Sequence, residues 1–385
     1  MKPVLLAVTL LASTLFAKSP VIEWDSTYGA DKEDKALAIA ATKDGGAVVA
    51  GTTRSFSLGK EDFYLFKVDS NGKQLWEKRF GGARKDIAYG VATTSEDKIY
   101  LTGTSKSYSK EGDYDLYAGK FDKEGKLLWA KSLGGASKDY GYDLTTTTDG
   151  GIVIVGKTKS FGHGHYDMYV LKLSPNGKVL WSKAFGGTTN EEAYGVTQLP
   201  DGSLIIVGAT ESFGAGDFDY YVVKLAKDGK KLWEKYYGEK KDDMLYAVTA
   251  HKDGSFTATG FTRSYNSKKK DLSVVHFSKE GEILWHKIVG RANHEIAHDI
   301  ETTDDDGVIV VGSTKSKGHG KNDFYVLVFD KNGKLLVDKT YGGKKNDVAN
   351  AVAKVSDKSY IIAGESESFG DDTEYDAYLL KIKLQ

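Results

Sequence analysis

The sequence predicts an all-β chain folded as a seven-bladed β-propeller, four antiparallel strands to a blade, with an N-terminal strand completing the last blade. Three observations predict it. First, a unit recurs at a period of about 52 residues: Trp24, Trp76, Trp129, Trp181, Trp233 and Trp285 are spaced by 52, 53, 52, 52 and 52 residues, and one further step of 52 reaches Val337. Self-similarity at such a period marks a repeat architecture whose single units cannot bury their own apolar faces. Second, each unit holds four runs of strand length separated by glycine- or acid-rich turns, the pattern of a propeller blade. Third, the last repeat, from Asp347, ends after its third run, and residues 21–29 carry the missing tryptophan run. Pairing the two closes a ring and removes the sheet edges that invite aggregation. A solenoid is the alternative, but it has no reason to split its unit in this way.

The elements follow in order. Residues 1–17 are expected to be a signal peptide: Lys2 forms a minimal basic region, residues 4–16 an apolar run, and Ala17 a small residue for cleavage. The alternative is a buried first strand or helix. The run is too short to span a bilayer as a helix. Residues 21–385 are expected to be the propeller. Within the unit of residues 86–135, residues 86–91 open the inner strand, 99–104 form the second and 115–121 the third. Residues 125–131 lead into the fourth, which ends at Gly134 and Gly135.

Composition narrows the function. The chain of 385 residues is 40% hydrophobic, with 44 glycines and only 4 prolines, which suits short strands joined by tight turns. It has no cysteine, which excludes disulfides, thiol catalysis, cysteine-ligated zinc and a lipidated cysteine anchor. Formal net charge is -1 and arginine is scarce, so a nucleic-acid partner is not expected. A monomer in the periplasm or outside the cell is.

The order of Asp-Gly-Gly turn, Gly-x-Thr-x-Ser-Phe, Asp-x-Tyr, Gly-Lys-x-Leu-Trp and Gly-Gly resembles the secreted β-propeller repeat proteins of bacteria and archaea. Residues 122–129 are also similar to the tryptophan-docking segment of quinoprotein-type propellers. The likeness covers nearly the whole chain after the leader and implies the fold. For function it implies mostly non-catalytic scaffolds. Quinoprotein blades are usually eight and shorter, so pyrroloquinoline quinone is not carried over and no cofactor is expected.

Two acidic positions recur. Asp34, Asp86, Asp139, Glu191, Asp243, Glu295 and Asp347 start the inner strands; Asp62, Asp115, Asp167, Asp219, Asp271, Asp323 and Asp376 follow the Ser-Phe loop. Both fall on one propeller face. They form either a carboxylate ring that attracts cations or a basic partner, or acceptors for turn amides within each blade. Sevenfold repetition favours the second, because catalysis needs one asymmetric site. The tryptophans are expected on the outer strands, packed against neighbouring sheets.

His294-Glu295-Ile296-Ala297-His298 matches the H-E-x-x-H zinc-protease signature. That chemistry needs a helix, and here the segment aligns with a strand opening, where four residues span roughly 13 Å. No metal site is assigned. His163 and His165 flank a glycine near Asp167 and read as solvated loop histidines or a loose surface metal site. Asp304, Asp305 and Asp306 lack the alternating spacing of a calcium loop. Breaks in the repeat are better clues. The loops before Asp115 and Asp376 are one residue longer, Lys268, Lys269 and Lys270 replace neutral residues, Ser273 replaces a tyrosine, and five of eight histidines lie between His251 and His298. Lys268, Lys269, Lys270, His163 and His165 are the candidate partner contacts, with drift as the bland alternative. The expected function is a non-catalytic binding platform for a protein or glycan. A multivalent lectin with equivalent pockets, and a lyase or hydrolase at the channel mouth, are the alternatives.

Overall fold

A computed structural model describes residues 19–385 except Phe56, Leu58, Asn266, Lys268 and 371–373; the expected signal peptide lies outside the described residues. These residues form 28 strands, from β1 (Val21–Tyr28) to β28 (Asp376–Lys383), in seven four-stranded antiparallel sheets. Six sheets take four consecutive strands, and the seventh runs in the order β1-β28-β27-β26, with β26 at Asp347–Ser356 and β27 at Ser359–Ser366. The expected ring closure is therefore observed: Val21 pairs with Lys383 and Tyr28 with Ala377. No helix among the described residues is long and apolar enough to cross a membrane.

The innermost strands are β2 (Asp34–Ala41), β6 (Asp86–Thr93), β10 (Asp139–Thr146), β14 (Glu191–Gln198), β18 (Asp243–Ala250), β22 (Glu295–Thr302) and β26. Each packs beside the next, and β2 packs beside β26 to complete the circle. Second and third strands are buried almost throughout, as in Ala47–Thr53 and Asp62–Val68, so apolar runs from facing sheets form one core between each pair of blades.

Every inner strand carries a β-bulge at the same place, for example between Ala88 and Gly90 and between Ala193 and Gly195. The extra residue turns its side chain toward the ring axis. The opposing second strand answers each bulge with a glycine: Gly103 faces Ala88 and Gly208 faces Ala193. A Cβ at either glycine would lie about 2 Å from a carbonyl oxygen of the inner strand, 2.0 Å at Gly103 and 1.8 Å at Gly208. This close approach is what the recurring glycine of the Gly-x-Thr motif provides.

The tryptophans lie on the outer strands, but they are half-buried rather than core residues, and each reaches over the next blade. The indole nitrogens of Trp24, Trp76, Trp129 and Trp285 donate to the carbonyls of Ser70, Lys123, Pro175 and Lys331 at 2.9, 3.2, 3.1 and 3.2 Å. These acceptors sit in the turn between the third and fourth strands of the neighbour.

Candidate functional site

The bulges build the axial channel. Their extra residues are Leu37, Tyr89, Tyr142, Tyr194, Tyr246, His298 and Asn350, and all line a central cavity of about 140 Å³. Tyr89 meets Tyr142 edge-on at 5.4 Å, Tyr142 stacks on Tyr194 at 5.4 Å, and Tyr194 meets Tyr246 edge-on at 5.1 Å. His298 follows at 6.3 Å from Tyr246, so five consecutive blades form an aromatic arc. Such offset and edge contacts are the favoured geometries of ring pairs.

Next to the arc stand two half-buried carboxylates, Asp143 and Asp299, which line the channel. Asp143 accepts from its neighbour Leu144 N–H at 2.7 Å and, across the blade boundary, from Val196 N–H at 2.9 Å. Asp299 accepts from Ile300 N–H and Val352 N–H, both at 2.8 Å. The Asn350 amide donates to Ala36 O at 3.0 Å, so three blade boundaries are stapled at the axis. Burial is the main cause that raises Asp143 to about 6 and Asp299 to about 8, against the amides that favour the ionised form; the charges of Asp143 and Glu301 push Asp299 further up. Burial, then the Lys270 charge, lowers His298 to about 4, and its Nε2 has no hydrogen-bond partner among the described residues. The channel is narrow, so these groups touch its lumen while protein surrounds them.

A pH effect follows. A folded-state value of about 8, well above the unfolded carboxylate, means the folded chain holds the extra proton. The stabilisation is complete below the unfolded value and is lost as pH rises through about 8. Between about pH 6.5 and 9 His298 is already neutral and Asp143 largely ionised, leaving Asp299 as the titrating channel group. The protein is expected to lose about 1–2 kcal/mol over that window, the full linkage value being reduced by channel water. Asp299→Ala should flatten the slope, since Ala38, Ala247 and Ala351 already occupy this place in other blades. Urea melts at several pH values read the result; an unchanged slope in the variant discards the assignment.

The channel opens on the loop-bearing face into a tyrosine patch. Tyr140 lies 5.3 Å from Tyr114, 6.2 Å from Tyr166 and 5.9 Å from the channel residue Tyr142. Lys157 Nζ sits over Tyr166 at 4.6 Å and Tyr140 at 5.3 Å, and pairs with Glu192 at 2.8 Å. Glu192 in turn accepts from the Tyr194 hydroxyl. Lys106 Nζ covers Tyr114 at 4.3 Å. The patch is half-exposed, rigid and amphipathic.

The two acidic rings do not face this opening. All seven inner-strand carboxylates are fully buried, and so are most of the second set. Asp139 accepts from Gly135 N–H at 2.8 Å, Ser160 Oγ at 2.7 Å and the Thr158 hydroxyl. Asp167 accepts from His163 N–H and Gly164 N–H, both at 3.1 Å. The carboxylates tie loops to blades.

The other sequence candidates scatter. His163 and His165 are exposed on their loop, and among the described residues no group of three or more histidine, aspartate or glutamate side chains is placed to hold a metal ion. Glu295 of the H-E-x-x-H segment is buried on β22, accepting from Thr314 at 2.9 Å and Arg291 N–H at 2.9 Å. His294 accepts from Lys270 N–H at 3.2 Å, while His298 points into the channel. Lys268 lies outside the described residues, Lys269 is exposed, and Lys270 folds back over Phe261 at 4.2 Å. The remaining histidines of this sector are internal. Thr257 Oγ1 bridges His251 and His276 at 2.7 and 2.9 Å. Ser273 contacts His286 at 2.9 Å and accepts from Tyr220 at 2.8 Å, but its hydroxyl is fully buried and out of reach of a substrate. The pair replaces the tyrosine–carboxylate pair seen at Tyr221 and Glu234, 2.6 Å apart.

Residues 117–370 match a PQQ-type repeat model described as outer membrane protein assembly factor BamB. The chain belongs to that family. A protein of Aquifex aeolicus is 26% identical over 254 residues, 65% of each chain. The regulatory protein FlaEY of Caulobacter vibrioides is 28% identical over 158 residues, 35% of this chain but only 16% of that relative's length. Among solved structures, a fungal alcohol oxidase of the AA5 family aligns with TM-score 0.59 at 13% identity, over 95% of this chain and 76% of that one. A protein from Dyadobacter fermentans aligns with TM-score 0.53 at 13% identity, over 96% and 100%. At such identities the likeness is one of fold.

Proposed function

We propose that the chain is an exported, monomeric, non-catalytic binding platform that engages a protein partner through its loop-bearing face. The observation that carries this is the patch of Tyr114, Tyr140 and Tyr166, which continues into the channel through Tyr142. Tyrosine offers large rigid contact area with a polar tip and is enriched at the centres of interfaces. Loops bearing side chains on a rigid scaffold are where binding residues concentrate. Membership of a family described as an outer membrane protein assembly factor supports a partner in the cell envelope. The sector of Lys269 and the exposed His163 and His165 flank the same face and belong to the proposed contact.

Immobilised protein incubated with envelope extract is expected to retain the partner, and Tyr140→Ala with Tyr166→Ala to release most of it while melting as a folded protein. Equal recovery by the double variant overturns the patch as the contact. Retained material that survives protease but not periodate assigns a glycan instead.

A further inference from the structure

One of the seven tryptophan sockets has no tryptophan. In the six others the indole rests on a glycine of the next blade's turn: Gly72, Gly125, Gly177, Gly229, Gly281 and Gly333 all have positive φ, and a Cβ there would come within 2.9–3.0 Å of the ring. Aromatic side chains of the next blade form the floor, as where Trp233 stacks on Phe256 at 6.5 Å and Trp285 on Phe329 at 6.4 Å.

The seventh socket lies where Val337 faces the closing blade. There β28 and β1 are paired strands without a turn between them, so no glycine is presented. The floor of the socket is kept. Tyr360 occupies the place of Phe256, and Ile382 that of Phe329, since Ile382 pairs with Tyr360 as Phe277 pairs with Phe256. Leu384, two residues beyond Ile382 as Ser70 is beyond Val68, walls the space that the turn fills in the other blades, its own N–H held by Lys358 O at 2.8 Å. What remains is a cavity of about 280 Å³ walled by Val328, Leu336, Val337, Tyr360 and Leu384. It is smaller than a site for a drug-sized ligand and suits a single side chain. Its rim carries the exposed Asp304, Asp305 and Lys358. Asp304 is engaged by Lys354 and by Lys358 N–H, whereas Asp305 accepts the Thr303 hydroxyl at 2.5 Å.

We propose that this socket binds a tryptophan of a protein partner, presented on a peptide segment with lysine or arginine beside it. The apolar walls and Tyr360 take the ring, and Asp305, whose carboxylate no cation among the described residues engages, faces the basic flank. Six filled copies of the same geometry in this chain define the ligand. The socket sits on the outer rim by the turns opposite the tyrosine patch, so it stands or falls independently of that contact.

The test uses three blocked tripeptides, Lys-Trp-Lys, Lys-Ala-Lys and Glu-Trp-Glu, titrated into the protein by calorimetry. Lys-Trp-Lys is expected to bind, with Lys-Ala-Lys weaker by about tenfold or more, as loss of a buried aromatic anchor costs. Glu-Trp-Glu should also be weaker. Val337→Trp fills the socket from within and should abolish Lys-Trp-Lys binding while the protein melts no lower than before. Asp305→Lys, a change on the exposed rim, should weaken Lys-Trp-Lys and strengthen Glu-Trp-Glu; it decides the matter if Val337→Trp does not fold. The proposal is overturned if Lys-Trp-Lys does not bind, if it binds no better than Lys-Ala-Lys, or if both variants bind it like the parent.

Discussion

Gly208→Ala is expected to destabilise the protein by about 3 kcal/mol or more, beyond the usual range for adding one methyl group. The new Cβ would fall 1.8 Å from Glu192 O, 2.8 Å from its carbonyl carbon and 3.0 Å from Ala193 Cα. All three are backbone atoms, so no side chain can swing aside. The inner strand can escape only by undoing the bulge between Ala193 and Gly195. Because side chains alternate with period two, that slip would take Tyr194 out of the channel and break its contacts with Tyr142 and Tyr246. Gly202→Ala is the control: its φ is 83° and nothing lies within 4 Å of its Cβ, so only backbone strain of about 1 kcal/mol is expected. Thermal melts of the two variants side by side check this. A Gly208→Ala variant no less stable than Gly202→Ala would mean that the close approach is relieved elsewhere.

The same glycine shows what the sequence made legible. Spacing alone locates each second-strand glycine and each tryptophan, because seven and six copies isolate them from noise, and the split blade follows from where the first tryptophan run falls. The channel was harder to read. Tyr89, Tyr142, Tyr194 and Tyr246 share one place in the repeat, and a bulge that shifts register by one residue decides that this place faces the axis. Asp143 and Asp299 were visible signals of another kind, charged residues in a column otherwise held by glycine and alanine. They lie on inner strands, and only the packing of neighbouring blades shows that each carboxylate takes an amide of the next blade. Tyr114, Tyr140 and Tyr166 are distant in sequence and meet only because adjacent blades bring their edges together at the channel mouth. Val337 was legible as a missing tryptophan. Its cause was not, since the absent turn depends on which strands close the ring.

Asp139→Ala is expected to cost about 3–4 kcal/mol, and its outcome separates a structural carboxylate ring from a cation-attracting one. Asp139 is fully buried and holds Gly135 N–H, Ser160 Oγ and the Thr158 hydroxyl. A hydrogen bond to a charged group contributes about 1.5–3 kcal/mol, and donors left unpaired in a buried place add their own penalty. These bonds join the connection between blades to the loop that carries His163, His165 and Tyr166, so limited proteolysis of that loop should accelerate as stability falls. The chain supplies its own rescue. Glu191 and Glu295 perform the same task in two other blades: Glu191 takes Gly187 N–H at 2.7 Å and the Thr210 hydroxyl at 2.9 Å. Asp139→Glu should therefore cost about 1 kcal/mol or less, the rest being recovered by the longer side chain reaching the same donors. If the ring instead served to attract cations at the channel mouth, Asp139→Ala would leave the melt and the loop unchanged and would relieve repulsion among like charges. Loss of stability in Asp139→Ala with recovery in Asp139→Glu is the result that the buried geometry requires.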